Sequence, residues 1–461
     1  MNNILILSSL ILLFISVFLI GSLKNKKLYK FLSLFFISLS LICLVVLSLR
    51  FFLNIEKNFL LNFKGINIFI IDFYSLLIIL TSVFISLLIT LYSFEYISED
   101  ENQRYYYFYN TLFIASMIGL VFSCNLILMY IFWELTSLCS WKLIKFYKKD
   151  DHITKANKAF LVTSLGSVLM LCGIVINYIE FGSFDFTYLK DRKISDLAGV
   201  FLIIGMIAKS AQLPFQSWLP DAGVAPTPVT ALLHAAVLVK IGTYAFGRIF
   251  NFTFQISNNL QSLIIYLSFF TIFISSFMAL AEFDIKRILA YSTISQLGYI
   301  FLGFAVNVKE SIIGAIFYII SHAFAKAGLF LSAGIIEHEL KEKNILKLGG
   351  LSKNMPIVSA CFFLCGLSII GFPVFSGFWS KFFILKGMLQ ANKITLAFLL
   401  IIGALLSLVY FMRVYNSVFL GTKKYDIKQH YSWMVFVVAL LTFFSVILGV
   451  YPDIILKLIK I

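Results

Sequence analysis

The sequence predicts an all-α integral membrane protein with about fourteen transmembrane helices. Of its 461 residues, 61% are apolar and only 13% are charged, whereas about a quarter of the residues in a soluble domain are charged. Because a membrane-spanning helix needs about 20 mostly apolar residues, this apolar content is enough for roughly fourteen spans. Apolar runs of that length follow one another along the whole chain, with short loops between them. These features exclude a soluble enzyme or binding module.

We number the fourteen predicted segments in chain order. They cover residues 4–21, 31–49, 68–93, 106–122, 125–141, 159–179, 198–214, 227–248, 260–281, 288–306, 311–334, 356–389, 394–412 and 432–451. The first segment could be mistaken for a signal peptide, but it has no basic residue before it and no A-x-A cleavage site after it, both of which a signal peptide needs. We therefore interpret it as a transmembrane helix.

Segments 7 and 12 are predicted to be broken helices. Pro214 interrupts segment 7 five residues after Lys209, and Gly371, Pro373 and Gly377 interrupt segment 12 before Lys381. A proline inside a helix removes a backbone hydrogen bond, and broken backbone at membrane depth is tolerated only where it is buried in protein or lines a watery cavity. Interrupted helices at corresponding positions of two halves are typical of internally duplicated transporters.

This spacing predicts four parts of the chain. Residues 1–105 hold segments 1–3, residues 106–250 form a first five-helix repeat, residues 251–414 form a second, and residues 415–461 hold segment 14. Because each repeat contains an odd number of helices, the second copy is expected to be inverted in the membrane.

Lysine and arginine counts predict the orientation. Loops after odd-numbered segments carry 21 basic residues, and loops after even-numbered segments together with the C-terminal end carry 12. Since cytoplasmic loops are enriched in basic residues, both termini are expected outside the cytoplasm. The net charge of +15 is explained by this topology, so nucleic-acid binding is not expected.

Five charged residues fall inside apolar segments, where a charge costs at least about 2.5–3.5 kcal/mol. They are Glu134, Lys209, Lys240, Lys326 and Lys381. Lysines can snorkel to the surface or form purely structural ion pairs, which are the alternatives to a functional role. An unpaired Glu134 would take up a proton, whereas a lysine partner would keep it ionised. Lys209 is the best-placed candidate for that partner.

Two histidines belong to the same regions of the chain. His322 and Lys326 are four residues apart and share a helix face, and histidine titrates near neutral pH, so this pair suggests a proton relay. His234 and Lys240 are six residues apart, about 120° from one face, so direct contact between them is not expected. For His234, a relay role and a structural hydrogen bond remain equally open.

Five motifs fall within the predicted membrane region. They are KSAQLPFQSWLPDA at 209–222, APTPVTALLHAA at 225–236, KRILAYSTISQLGY at 286–299, SHAFAKA at 321–327 and GFWSK at 377–381. With these motifs the sequence resembles the antiporter-like membrane subunits of proton-pumping NADH:quinone oxidoreductase (complex I), Mrp-type Na+/H+ antiporters and membrane-bound hydrogenases. The resemblance covers roughly residues 70–420.

The resemblance implies fourteen helices with inverted five-helix repeats and broken helices 7 and 12. It also implies that Glu134 and Lys209 form the uptake-side pair of a proton channel. Lys240, or Lys326 with His322, would be the central relay, and Lys381 the release-side residue. Lysines in both segments 8 and 11 are closer to the large Mrp subunit and the hydrogenase type. Neither the long lateral helix of the distal complex I pump subunit nor the extra C-terminal domains of the large Mrp subunit are expected.

The sequence therefore predicts a proton-translocating, or Na+-coupled, subunit of a complex I-like or hydrogenase complex in a bacterial or archaeal cell membrane. Its expected partners are homologous membrane subunits and a redox module. The six cysteines are scattered without a CxxC pair, so no cofactor or metal is expected in this chain, and whether it counts as an enzyme stays open. The alternatives are a subunit of an Mrp-type Na+/H+ antiporter without redox coupling, and a scaffold that does not transport.

Overall fold

The structure is a computed structural model that describes residues 2–22, 25–53, 59–63, 65–422, 425 and 432–459. Among these residues, twelve helices are long and apolar enough to cross a membrane. The predicted all-α, multi-pass membrane fold is thereby confirmed.

The N-terminal part contains three long helices and a β-hairpin. These elements are α1 (Asn2–Ser22), α2 (Lys26–Phe52), β1 (Phe59–Phe63), β2 (Ile66–Ile71) and α3 (Phe73–Tyr96). The prediction of a helix from residue 68 is wrong at its start, because residues 66–71 pair with β1 as an antiparallel strand. The helix begins only at Phe73, where the Asp72 side chain accepts a hydrogen bond from the Ser75 backbone N–H, as an N-cap residue does.

The region predicted as the first repeat follows. It contains α4 (Gln103–Phe122), α5 (Leu126–Ile144), α6 (Asp150–Phe181), α7 (Phe186–Leu189), α8 (Asp196–Lys209), α9 (Trp218–Asp221), a 3-10 turn (Ala222–Val224), α10 (Thr227–Ala231), a π-helical turn (Leu232–Ala236) and α11 (Leu238–Phe250). The prediction of one continuous helix over 227–248 is wrong, because the π turn separates α10 from α11. Such turns are rare and often occur at functional sites.

The remaining helices complete the bundle. They are α12 (Asn258–Ala281), α13 (Ile285–Val306), α14 (Lys309–Leu340), α15 (Leu351–Asn354), α16 (Pro356–Ile370), α17 (Ser376–Gln390), α18 (Ile394–Val418), α19 (Trp433–Val450) and α20 (Asp453–Leu456). The stretch Thr227–Phe250 and helices α13 and α14 are almost completely buried, whereas fewer than half of the residues of α1 and α2 are buried. The centre of the bundle is therefore formed by α10, α11, α13 and α14.

Both proline-containing segments are interrupted, and their backbones break in the same way. After α8, Ala211 has a φ of 51° and the Gln212 N–H donates to the Ile207 carbonyl at 2.8 Å. After α16, Gly371 has a φ of 88° and the Phe372 N–H donates to the Leu367 carbonyl at 3.0 Å. These are helix C-terminal motifs with one residue in the left-handed region.

The interruptions leave α8 with 14 residues and α16 with 15, which is shorter than a full span. Each of the fourteen predicted segments nevertheless contains a helix. The number of membrane crossings and the division into inverted repeats stay predictions.

Candidate functional site

The four lysines predicted inside the membrane are buried within the bundle. The relative exposure of Lys209, Lys240, Lys326 and Lys381 is 0%, 1%, 0% and 6%. Each amine contacts a polar group of the protein interior, so none of them snorkels to the surface. We call these four residues the lysine row.

Lys209 lies at the last residue of α8 and contacts α5. Its Nζ donates to the Trp133 carbonyl at 3.1 Å and to Ser137 Oγ at 2.5 Å. Trp133 and Ser137 are four residues apart and share one face of α5, whereas Glu134 is turned about 100° away from Trp133. The expected ion pair between Lys209 and Glu134 does not form: no oxygen of Glu134, a described residue, lies within 4.0 Å of Lys209 Nζ. Glu134 is half-buried, and its Oε1 has no hydrogen-bond partner among the described residues.

Lys240 contacts a histidine on another helix. On α11, the Lys240 Nζ lies 2.7 Å from Nδ1 of His322, which is on α14. His322 and Lys326 both lie on α14, and no hydrogen bond joins their side chains among the described contacts. Lys326 instead donates to the Leu289 carbonyl at 3.1 Å and to Ser292 Oγ at 2.7 Å. The central relay candidates are therefore joined across helices.

His234 lies in the π turn, packed against Phe330 with 4.5 Å between the ring centroids. It is fully buried, and within the described part of the chain neither ring nitrogen has a hydrogen-bond partner. The structural hydrogen bond that was one explanation for this residue is therefore absent from the described contacts.

Lys381 occupies the break between α16 and α17. Its Nζ donates to the carbonyls of Ile369 and Ile370 at 2.9 and 3.0 Å, which lie at the C-terminal end of α16, where carbonyls have no partner within the helix. The amine also lies 4.6 Å from the centre of the Tyr299 ring. The broken helix thus supplies the binding site of its own lysine.

A set of buried polar side chains connects Lys326 with the Lys381 site. Its members are Ser292, Tyr410, Gln296 and Tyr318. Ser292 Oγ lies 2.8 Å from the Tyr410 hydroxyl, Gln296 Nε2 donates to that hydroxyl at 3.1 Å, and the Tyr318 hydroxyl donates to Gln296 Oε1. We call this set the hydroxyl–amide chain.

Sequence reasoning did not single out the hydroxyl–amide chain. Ser292 and Gln296 lie four residues apart in the motif at 286–299, and this spacing could have indicated a polar helix face. A lone tyrosine in an apolar segment, such as Tyr410, gives no such signal.

Two further cations are buried among the described residues, and both are paired with carboxylates. Arg248 contacts Asp72 through two hydrogen bonds of 2.6 and 2.9 Å, and Lys286 lies 3.2 Å from Glu337. The sequence placed Arg248 and Lys286 at segment ends and did not predict their burial. Burial alone would raise the pKa of Asp72, but the Arg248 guanidinium and the Ser75 hydrogen bonds bring it below its ordinary value.

The lysine row differs from these pairs. Among the described residues, none of its four amines has a carboxylate within 4.0 Å. An amine without a fixed counter-ion can gain or lose a proton without breaking an ion pair. Among the same residues, no group of three or more His, Cys, Asp or Glu side chains is placed to hold a metal ion.

The fold and the site define a multi-pass integral membrane protein with interrupted helices around a buried polar axis, an arrangement found in ion transporters. The family model described as "NADH:quinone oxidoreductase/Mrp antiporter, TM" matches residues 123–407. The chain belongs to this family, and the resemblance inferred from the motifs is confirmed.

Curated relatives cover most of the chain. NADH-quinone oxidoreductase subunit L of Buchnera aphidicola subsp. Acyrthosiphon pisum (strain APS) is 39% identical over 388 residues, which are 80% of this chain and 62% of the relative. The subunit of the same name from Escherichia coli (strain K12) is 38% identical over 372 residues, 78% of this chain and 60% of the relative. The chain thus spans about 60% of the length of these relatives.

Solved structures share the fold over nearly the whole chain. A chain of the Mrp complex from Dietzia sp. DQ12-45-1b superposes with a TM-score of 0.91 at 21% identity, covering 99% of this chain and 96% of that one. A chain of the membrane-bound sulfane sulfur reductase, an archaeal respiratory membrane complex, gives a TM-score of 0.89 at 23% identity with the same coverage.

Proposed function

We propose that this chain is a proton-translocating subunit of an NADH:quinone oxidoreductase-like or membrane-bound hydrogenase complex, with Na+ as an alternative coupling ion. Protons move along a mid-membrane axis through Glu134, Lys209, Lys240, His322, Lys326 and Lys381, and His234 lies beside its centre. The observation that carries the proposal is the lysine row, which is buried and lacks carboxylate counter-ions among the described residues.

The contact between Lys240 and His322 supports proton transfer at the centre of this axis. At 2.7 Å, the Lys240 amine and the His322 imidazole are within hydrogen-bond distance, so a proton can pass directly between the two nitrogen atoms. On one side, α8 and α11 pack closely, because Ser210 Oγ donates to the Val239 carbonyl at 3.0 Å. A Cβ added at Gly242 would lie 2.1 Å from Ser210 Oγ. This close packing holds Lys209 and Lys240 on adjacent helices.

The parent complex and the orientation belong to the same proposal. The curated relatives are subunits of NADH-quinone oxidoreductases, which supports redox-active partner subunits and other membrane subunits as neighbours. The redox reaction would take place in those partners and drive charge movement in this chain. We place the chain in the cell membrane with both termini outside the cytoplasm, as the distribution of basic residues indicates.

The test is proton pumping by the assembled complex with Lys209→Ala or Glu134→Ala. Both variants are expected to abolish proton uptake coupled to electron transfer while the complex still assembles, because each removes a titratable group near the start of the axis. The matched control is Lys155→Ala, which removes a lysine from a surface pair with Asp151. Normal pumping by an assembled Lys209→Ala complex would refute the proposal.

Flux measurements on membrane vesicles that contain the complex distinguish the two alternatives. Vesicles that exchange Na+ for H+ without any electron donor would identify an Mrp-type antiporter. A scaffold predicts a different result: changing all four lysines of the row would reduce assembly of the complex and leave flux per assembled complex unchanged.

A further inference from the structure

The hydroxyl–amide chain between Lys326 and Lys381 contains one member that differs chemically from the others. Hydroxyl groups such as those of Ser292 and Tyr410 both donate and accept one hydrogen, so a proton can be passed along them. The amide of Gln296 donates only through Nε2 and accepts only through Oε1. A proton therefore cannot cross Gln296 by simple exchange of donor and acceptor roles.

The two ends of the amide are held by tyrosines from different helices. On α14, Tyr318 donates to Oε1, and on α18, Tyr410 accepts from Nε2 at 3.1 Å. While the Tyr410 oxygen accepts from Gln296, its own hydrogen can be directed to Ser292 Oγ, 2.8 Å away. The Ser292 hydroxyl can then donate to Lys326, 2.7 Å away, if that amine is neutral. All hydrogens of this arrangement point towards Lys326.

Turning the Gln296 amide by 180° reverses the direction of every hydrogen bond in the hydroxyl–amide chain. A charged Lys326 donates to Ser292, Ser292 donates to Tyr410, and Tyr410 donates to the carbonyl of Gln296, which now faces it. The amide then donates to the Tyr318 oxygen, whose hydrogen is released from Gln296. The Tyr318 hydroxyl lies 3.5 Å from the Ile369 carbonyl, which is one of the two carbonyls that bind Lys381.

We propose that Gln296 is a positioning residue that transmits the charge state of Lys326 to the Lys381 site by turning its amide, and that it blocks direct proton transfer between them. This proposal rests on the proposed function. Protonation of Lys326 sends a hydroxyl hydrogen towards the Ile369 carbonyl, where it competes with the Lys381 amine. The turn exchanges an oxygen for a nitrogen of similar size, so the surrounding helices do not have to move.

The transmission is tested with Gln296→Leu in the assembled complex, reconstituted in proteoliposomes. Leucine fills a similar space but neither donates nor accepts, so we expect loss of protons pumped per electron while resting vesicles stay proton-tight. The matched control is Ser295→Ala on the same helix, which removes a buried hydroxyl bonded to Ser276 outside the chain; it is expected to pump normally. Should Gln296→Leu not assemble, Tyr410→Phe breaks the chain at the next residue and is expected to give the same loss.

The block is tested separately with Gln296→Glu. A carboxyl group can accept a proton on one oxygen and release it from the other, so resting vesicles with this variant are expected to leak protons under an imposed pH gradient. Proton-tight Gln296→Glu vesicles would overturn the block. An unchanged proton yield in Gln296→Leu or in Tyr410→Phe would overturn the transmission.

Failure of the inference can be told apart from failure of the proposed function with Lys326→Ala and Lys381→Ala. If both of these pump normally, the proposed function itself is wrong. If both lose pumping while Gln296→Leu keeps the full yield, only the role of Gln296 is wrong.

Discussion

At the scale of single residues, buried cations in this protein are of two kinds. Arg248 and Lys286 each contact a carboxylate, whereas the described hydrogen bonds of the lysine row are made with carbonyls, hydroxyls and an imidazole. Removing one partner of a buried pair leaves an uncompensated charge and costs about 3–5 kcal/mol. The paired cations are therefore expected to stabilise the fold, and the lysine row to serve transport.

Asp72→Ala is expected to destabilise the folded protein. It leaves Arg248, which is only 3% exposed, without its carboxylate and also removes the N-cap of α3, so we expect destabilisation of at least about 3 kcal/mol. The measurement is the thermal melting temperature of the purified chain in detergent. Asp453→Ala removes one partner of the exposed pair with Lys457, and such a pair contributes about 0–1 kcal/mol. Similar melting temperatures for both variants would contradict the prediction.

The same pair predicts an acid limit of stability. The folded protein holds the pKa of Asp72 below its ordinary value of 3.8, so in the window between the two pKa values the unfolded chain binds more protons, and stability rises with pH. The contribution of the pair is complete above the ordinary value and is lost as the pH falls through the lowered one. A melting curve measured from pH 6 downwards is expected to fall below about pH 4, and to fall less in Asp72→Asn, which has no carboxyl to titrate.

At the scale of elements, the break between α16 and α17 depends on close backbone contact. A Cβ at Gly377 would lie 1.8 Å from the Ser368 carbonyl oxygen, so Gly377→Ala has to push the two helices apart. Because Lys381 on α17 is held by carbonyls at the end of α16, this shift is expected to remove the lysine from its site.

The prediction is that Gly377→Ala lowers the number of protons pumped per electron in a complex that still assembles. Gly223→Ala is the control, since a Cβ there would meet only Lys286 Cβ at 3.9 Å, an ordinary contact. A normal proton yield in Gly377→Ala would show that the binding site at the end of α16 is not needed for transport.

Element by element, the sequence predicted what depends on local apolarity and chain breaks. Runs of about 20 apolar residues located the helices, and Pro214 and Pro373 located the interruptions. The strand at 66–71 was missed because an apolar run of isoleucine and phenylalanine suits a strand as well as a helix. The π turn around His234 was missed because neither glycine nor proline interrupts residues 229–236.

Contacts between helices could be predicted less well. The four lysines were recognised because a charge inside an apolar segment is costly. Their partners depend on how α5, α8, α11, α13 and α14 pack, which no spacing within one segment determines. For this reason Lys240 was not matched with His322, and Glu134 was expected to contact Lys209 directly.

At the scale of the whole molecule, the basic residues are expected to distinguish the two membrane faces. The stretch between predicted segments 5 and 6 carries six of the 21 basic residues counted on one face, where Lys158 and Arg287 both contact Asp221. The buried pair of Asp72 and Arg248 is expected at the other face, since it lies at the start of α3 and near the end of α11. If the basic face is cytoplasmic, proton uptake and release have defined sides.

Cysteine labelling of membrane vesicles tests this orientation. In a variant whose six native cysteines are replaced by serine, a membrane-impermeant maleimide is expected to label Lys149→Cys only in inside-out vesicles. It should label Lys190→Cys, which follows α7 at the other face, only in right-side-out vesicles. Both lysines are exposed in the structure, so labelling reports the side of the membrane and not burial. The reverse pattern would place both termini in the cytoplasm and would invert the direction of transport along the lysine row.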